Sequence, residues 1–176
     1  MTATTVHTTL GSPLGDLLLV GERSATAPGG TALASLSVPD QKGGATVDGA
    51  WSHDPAAFAE IAAQLTAYFE GRRTRFDLAY VPGGTPFQQR VWQALEAVPY
   101  GETYTYGDIA TRIGAPRAAV RAVGTAIGRN PLLIVRPCHR VIGADGTLTG
   151  YAGGLHRKEQ LLRLEGAACV AGTRTG

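Results

Sequence analysis

The sequence changes character at residues 82–84, a Pro-Gly-Gly segment that interrupts both helices and strands. Before it, the apolar segments are short, as in β-strands. After it, apolar side chains recur every three or four residues, as in helices. The chain has 176 residues, of which 44% are hydrophobic, which is enough for two small cores. The break therefore predicts an α+β protein with one domain at residues 1–84 and a second at residues 85–176.

The first domain is predicted to be a small mixed α/β unit. Asp54, followed by proline, predicts the start of a helix that ends just before Gly71. The buried face of this helix is expected to carry Phe58, Ile61, Leu65 and Tyr68. Apolar runs and alternation predict strands at residues 6–10, 17–20, 33–38 and 76–80, the first two forming a hairpin.

The second domain is predicted to be mainly helical. Thr85 can cap its first helix, with Gln88 closing a capping box. The apolar face of that helix carries Phe87, Val91, Leu95 and Val98. Further helices are expected at residues 106–113, 116–129 and 156–165, with a strand at 132–135 and a glycine-rich, hairpin-like region at 142–154. The second and third helices are joined by a tight Gly-Ala turn, which is the pattern of a helix-turn-helix motif.

The charge is distributed unevenly along the chain. Residues 1–87 carry a net charge of −3, and residues 88–176 carry +5. Residues 109–144 contain no Asp or Glu but six arginines: Arg112, Arg117, Arg121, Arg129, Arg136 and Arg140. A solvated basic face would explain this stretch, and so would a surface that faces phosphates. Charge alone leaves both interpretations open.

The predicted third helix carries two stripes of different character. Val120, Val123 and Ile127 form the apolar stripe. About a quarter turn away lies a second stripe of Arg117, Arg121, Gly124 and Gly128. Burial of the first stripe would present arginines beside positions without side chains, which lets a phosphate backbone approach closely. The glycines would also suit tight packing of another helix, but together with the acid-free stretch they favour nucleic acid.

Cys138 and Cys169 are the only cysteines, too few for a disulfide scaffold or a four-thiolate zinc site. Cys138 precedes His139 and lies close in sequence to Arg136 and Arg140, whose charge is expected to lower the pKa of the thiol and make it a nucleophile. An inert buried cysteine is the alternative. Adjacent side chains in extended chain point to opposite sides, so His139 would act on Cys138 only across a turn or through a water molecule.

The segment Pro-Cys-His-Arg-Val at residues 137–141 resembles the signature of the O6-alkylguanine-DNA alkyltransferases. Blocks in the same order support the resemblance: residues 87–92, 99–102 with Tyr106, 121–124, 130–131 and 150–154. The match covers residues 85–166. It implies a winged helix-turn-helix C-terminal domain, and the first part of the chain resembles the family's ribonuclease-H-like N-terminal domain.

The resemblance implies direct-reversal DNA repair. In such proteins the cysteine, here Cys138, takes the alkyl group from O6-alkylguanine, and also from O4-alkylthymine, and keeps it, so that each molecule reacts once. His139 is implied as the base, acting through a water molecule, with Glu165 orienting it and Asn130 bracing the site. Tyr106 is implied as the donor to the leaving guanine. No cofactor and no metal are expected.

The resemblance also implies how DNA is held. The duplex would be bound through its minor groove, with the alkylated guanine flipped out and Arg121 filling the gap. The implied DNA-binding residues are Arg117, Arg121, Ala122 and Gly124, and the implied walls of the base pocket are Val141, Tyr151, Ala152 and Gly153. We expect a cytoplasmic protein without membrane contact, monomeric in solution and able to assemble cooperatively on DNA.

The sequence departs from the family pattern in two places. The segment from Pro116 to Arg121 is one residue longer than usual. Arg136 stands where the family commonly has isoleucine or valine, and its side chain would reach DNA or pair with an acid.

Three rival functions fit the sequence less well. A protein that binds alkylated bases without repairing them lacks the cysteine. A winged-helix regulator does not need the Pro-Cys-His-Arg segment, and a Cys-His hydrolase needs an oxyanion hole that the sequence does not show.

Overall fold

The computed structural model describes residues 4–167, so Cys169 lies outside the described part of the chain. Two compact units are present, one up to Pro82 and one beginning at Gly83. Both mix helices with strands, which confirms the predicted α+β class. Within residues 4–167, no helix is long and apolar enough to cross a membrane.

The first unit is built on a four-stranded sheet of order β3-β2-β1-β4. The strands are β1 (Thr5–Leu10), β2 (Leu17–Arg23), β3 (Thr31–Ser37) and β4 (Ser52–His53). The predicted hairpin is confirmed, since β1 pairs antiparallel with β2 and Leu10 lies opposite Leu17. The short β4 is parallel to β1.

One helix covers this sheet, α1 (Ala59–Phe69), and it follows a 3-10 turn at Pro55–Phe58 that Asp54 caps. The predicted apolar face is confirmed, because Phe58, Ile61, Leu65 and Tyr68 are all buried. The predicted strand at residues 76–80 is wrong. Only an isolated bridge from Tyr80 to Leu33 forms, because the Gln64 side chain takes both backbone groups of Asp77 (2.9 and 3.0 Å).

Up to residue 167, the second unit contains four α-helices: α2 (Pro86–Glu96), α3 (Tyr106–Arg112), α4 (Val120–Gly128) and α5 (Leu155–Leu164). The capping box of Thr85 and Gln88 is confirmed. Helices α3 and α4 form the helix-turn-helix. The longer segment before Arg121 folds as a 3-10 turn at Arg117–Ala119, so α4 begins later than predicted. The indole of Trp92 ties α2 to α4 by donating to the carbonyl of Ala126 at 2.9 Å.

Two short parallel strands lie between these helices, β5 (Tyr104–Thr105) and β6 (Val141–Ile142). The hairpin-like region that follows β6 contains a turn closed by a bond from Gly143 N to Thr147 O (2.9 Å), but its returning part forms no strand in the described structure. The predicted strand at residues 132–135 is also wrong, because this segment folds as a turn.

Candidate active site

Cys138 lies in a 3-10 turn, Cys138–Arg140, that leads directly into β6. The turn removes the alternation of an extended chain, which would have placed Cys138 and His139 on opposite sides. Both side chains are buried, with 4% of Cys138 and none of His139 exposed. The sequence-predicted nucleophile and base are therefore both enclosed by the protein.

The backbone before Cys138 is held by the side chain of Asn130, which is also buried. Its amide donates to the carbonyls of Leu132 and Arg136, both at 3.1 Å, and its oxygen accepts from Leu132 N at 3.0 Å. These bonds fold residues 132–136 into a turn in which Ile134 has a φ of +72°. A β-branched residue rarely adopts this conformation, which costs about 1–3 kcal/mol. Asn130 thus holds together the strained turn that precedes the cysteine.

Glu165, just after the end of α5, connects His139 with Arg140. Its Oε2 lies 2.8 Å from His139 Nε2, and Arg140 donates to both carboxylate oxygens at 2.7 and 2.9 Å. Burial opposes ionisation of Glu165, but its hydrogen bonds with His139 and Arg140 and the charge of Arg140 outweigh it and lower its pKa to about 2. The carboxylate is therefore ionised at neutral pH. Arg140 also donates to the Val98 carbonyl at 2.6 Å, which fixes the guanidinium in place.

His139 is neutral in this environment. Burial lowers the pKa of the imidazole, although Glu165 acts in the opposite direction. An ionised carboxylate only accepts hydrogen bonds, so the proton of the neutral ring is on Nε2. The other nitrogen, Nδ1, is buried and has no hydrogen-bond partner among residues 4–167. It is the atom that can accept a proton.

The thiol of Cys138 differs from the sequence-based expectation. Burial raises its pKa, while the side chain of Asn130 and the charges of Lys158 and Arg136 act in the opposite direction. The predicted net lowering of the pKa is wrong because burial outweighs the charges: Arg136 lowers the pKa but contributes least, and the guanidinium of Arg140 is bound to Glu165. A thiol of this kind needs a base before it can react.

Lys158, in α5, is a functional candidate that sequence reasoning missed. It is 1% exposed, and its ammonium donates to the carbonyls of Thr149 and Gly150 at 2.8 and 3.4 Å. Burial lowers its pKa to about 8, and the charge of Cys138 raises it. A signal was present: Lys158 lies three and four residues before the apolar Leu161 and Leu162, on the buried stripe of the helix.

The predicted leaving-group donor, Tyr106, contacts the segment that Lys158 also binds. The hydroxyl of Tyr106, at the start of α3, accepts from Thr149 at 3.0 Å. The hydroxyl of Tyr151 is buried without a partner among the described residues, and burial together with the charges of Cys138 and Glu165 raises its pKa well above the usual value. Of the remaining predicted walls, Val141 and Gly153 are buried and Ala152 is partly exposed.

The two predicted stripes of the third helix are separated as expected. Val123 and Ile127 are buried and Val120 is partly exposed, whereas Arg117, Arg121, Ala122 and Gly128 are exposed. Gly124 is partly exposed and faces Tyr106, because a Cβ there would lie 3.7 Å from two ring carbons. The exposed stripe of α4 therefore borders the tyrosine that the sequence placed at the reacting base.

Arg136, the unusual residue before the Pro-Cys-His segment, points into the protein. Its guanidinium carbon lies 4.9 Å from the ring centre of Trp92, and its Nη1 donates to Asn130 at 3.4 Å. Its Nε is 3.9 Å from a carboxylate oxygen of Glu96. Of the two alternatives for Arg136, the structure thus shows pairing with an acid. Among residues 4–167, no group of three His, Cys, Asp or Glu side chains is arranged to hold a metal ion.

Comparison with known proteins agrees with this geometry. Residues 5–80 match the ribonuclease-like domain of 6-O-methylguanine DNA methyltransferase, and residues 86–167 match its DNA-binding domain. A methylated-DNA–protein-cysteine methyltransferase of Mycobacterium tuberculosis is 50% identical over 90% of this chain and 91% of its own. One from Methanosarcina acetivorans is 48% identical over 89% and 95%.

The fold is shared with a solved relative. The crystal structure of the Mycobacterium tuberculosis OGT in complex with DNA superposes with a TM-score of 0.81 at 47% identity, covering 94% of this chain and 96% of that one. The two matched domains span most of the sequence, and the relatives cover about nine tenths of it. The chain therefore belongs to the 6-O-methylguanine DNA methyltransferase family, as the Pro-Cys-His-Arg-Val segment predicted.

Proposed function

We propose that this protein repairs O6-alkylguanine in DNA by direct reversal, with Cys138 as the irreversible acceptor of the alkyl group. Alkyl transfer from DNA to a protein cysteine is the activity of the family to which the chain belongs. The observation that carries the assignment to Cys138 is its burial beside a neutral His139 that Glu165 orients.

The first chemical step is removal of the thiol proton. The proton of Cys138 passes through a bound water molecule to Nδ1 of His139, the nitrogen left unpaired in the described structure. Glu165 stabilises the imidazolium that forms, as the acidic member of a catalytic triad does. Lys158 and Asn130 favour the thiolate once it exists.

The second step is displacement at the alkyl carbon. The thiolate of Cys138 forms a carbon–sulfur bond while the bond from that carbon to O6 breaks, and the electron pair stays with the guanine. The leaving base then needs a hydrogen bond or proton at its ring nitrogen. Tyr106 can donate one, because its hydroxyl oxygen accepts from Thr149 and its own hydrogen remains available. O4-alkylthymine has the same alkoxy arrangement and is included in the proposal.

The reaction ends after one transfer. The product is a thioether, which water does not hydrolyse, so that each protein molecule removes one lesion. Val141, Tyr151, Ala152 and Gly153 form the walls of the proposed base pocket. A base inside a duplex cannot reach a buried thiol, so the lesion must be flipped out, at a cost of a few kcal/mol.

DNA is proposed to bind through its minor groove on the exposed stripe of α4. Arg121 occupies the space of the flipped base, while Arg117, Ala122 and Gly124 lie against the groove. The protein acts as a monomer that can assemble side by side along a duplex.

Intact-mass measurement after mixing with a duplex that contains O6-methylguanine tests the proposal. We expect one added methyl group per protein, located on Cys138 by peptide mapping, and no lesion loss beyond the moles of protein added. Cys138→Ser should bind the duplex without removing the methyl group. Turnover beyond one lesion, or an adduct on Cys169, would overturn the mechanism.

A further inference from the structure

A cleft of about 380 Å³ lies on the outer side of the second unit, between α2 and the end of α3. It is lined by Arg90, Gln93, Ala94, Arg112 and Ile113. None of these residues belongs to the site around Cys138 or to the exposed stripe of α4. Arg90, Gln93 and Arg112 are exposed, so their polar groups can reach a ligand in solution.

The cleft is positively charged without local compensation. Neither Arg90 nor Arg112 forms an ion pair with a carboxylate in the described structure. Helices α2 and α3 contain one acid each, and both are directed elsewhere. Glu96 faces Arg136, and the carboxylate of Asp108 accepts from Thr105 N at 2.8 Å in a capping box.

Aromatic rings orient both guanidinium groups. The Arg112 guanidinium carbon lies 4.7 Å from the ring centre of Tyr104, and its Nη2 donates to the Tyr104 hydroxyl at 2.6 Å. The Arg90 guanidinium carbon lies 5.7 Å from the ring centre of Phe87. A stacked guanidinium keeps its N–H groups at the rim of the ring plane, where they can donate. Part of the entropy cost of holding the donors is therefore met before a ligand binds.

We propose that this cleft binds a phosphate of the DNA backbone, at a position separate from the contacts of α4. Two planar guanidinium groups with an amide beside them suit the oxygens of a phosphodiester. Arg112 ends α3, the first helix of the helix-turn-helix, so the cleft belongs to the same motif as the proposed DNA-binding stripe of α4. The inference rests on the proposed function, since it takes a duplex as the ligand.

The salt dependence of duplex binding tests the cleft. Each phosphate contact contributes about 0.9 to the slope of log Kd against log salt concentration. For undamaged duplex, the double variant Arg90→Gln/Arg112→Gln should therefore show a slope that is smaller by about one, because one phosphate contact is lost. The matched control is Arg163→Gln, which removes an exposed arginine of α5 that pairs with Glu159 at 2.6 Å.

An unchanged slope in the double variant would overturn the cleft proposal. A slope that falls as much in the Arg163→Gln control as in the double variant would also overturn it. Transfer from free O6-alkylguanine base should keep its wild-type rate in both variants, which also shows that they are folded. Failure of the proposed function gives a different result: the wild-type protein itself would then take up no alkyl group.

Discussion

Nε2 of His139 lies 2.8 Å from Oε2 of Glu165, and neither side chain is exposed to solvent. This contact decides the chemistry of the site because it fixes the tautomer of the imidazole. With its proton on Nε2, the ring presents Nδ1 as an acceptor, and the ionised Glu165 compensates the charge that appears when Nδ1 takes a proton.

The first prediction concerns the rate of alkyl transfer. Glu165→Gln should lower the single-turnover rate by about 100-fold, because a neutral amide no longer stabilises the imidazolium. Rapid-quench kinetics with an O6-methylguanine duplex measures it. Glu159→Gln, on the exposed side of α5, is the control and should react at the wild-type rate. Equal rates for Glu165→Gln and the wild type would remove Glu165 from the mechanism.

The second prediction concerns stability in acid. The pKa of Glu165 is about 2 in the folded protein against an ordinary value of about 4.5, so its ionised form favours folding. The contribution, about 3 kcal/mol, is fully present above pH 4.5 and is lost as the pH falls towards 2. Urea unfolding at several pH values should show Glu165→Gln less stable than wild type at pH 7, with the difference shrinking towards pH 2. A difference that stays constant over this range would contradict the ion pair.

The third prediction concerns Lys158. Lys158→Met removes a positive charge that favours the Cys138 thiolate, so the pKa of the thiol should rise. The rate of alkylation by iodoacetamide, followed against pH, should therefore shift its midpoint upwards, and alkyl transfer at pH 7 should slow by about tenfold for each unit of this shift. The control is Lys42→Met, at the only other lysine of the chain, an exposed one. An unshifted midpoint would show that Lys158 only holds Thr149 and Gly150.

The fourth prediction concerns Arg121. Arg121→Ala should slow repair of a duplex by about 100-fold or more while leaving the reaction with a free alkylguanine base within a factor of two, because only the duplex contains a base to flip, at a cost of a few kcal/mol. Parallel single-turnover assays on both substrates measure the ratio. Equal losses on the two substrates would contradict the role of Arg121 in flipping.

The sequence predicted those parts of the fold that depend on local patterns. The capping box at Thr85 and the apolar stripe of α4 follow from short-range spacing, and both are present. The strands predicted at residues 76–80 and 132–135 are absent because polar side chains form hydrogen bonds with the backbone groups that a strand would pair. Gln64 binds Asp77, and Asn130 binds the turn before Cys138. The spacing of apolar residues in the sequence does not predict such hydrogen bonds.

The same distinction holds for the active site. Cys138 and His139 were identified from a short motif, whereas the raised pKa of the thiol was not, because it depends on burial by segments remote in sequence. Arg140 looked like a charge that favours the thiolate until the structure placed its guanidinium on Glu165. The burial of Cys138 and the pairing of Arg140 with Glu165 both depend on where a side chain points. Sequence spacing does not give this direction inside a turn.

The last prediction separates two roles of Asn130, which holds the strained turn and also favours the thiolate of Cys138. Asn130→Ala removes three hydrogen bonds to the backbone and a fourth from Arg136, and it should cost about 2–4 kcal/mol of unfolding free energy, since each bond contributes about 1 kcal/mol and Leu132 N is left buried without a partner. Asn130→Asp keeps the acceptor for Leu132 N but loses both donated bonds and places a negative charge near the thiol.

Both variants should therefore be less stable in urea, but the pKa of Cys138, measured by iodoacetamide reactivity against pH, should rise more in Asn130→Asp than in Asn130→Ala. The reason is that only the aspartate repels the thiolate, whereas both variants lose the donated bonds to Leu132 and Arg136. If the two variants lose stability but leave the reactivity profile of Cys138 at its wild-type position, Asn130 acts on the fold of the turn alone and has no part in tuning the nucleophile.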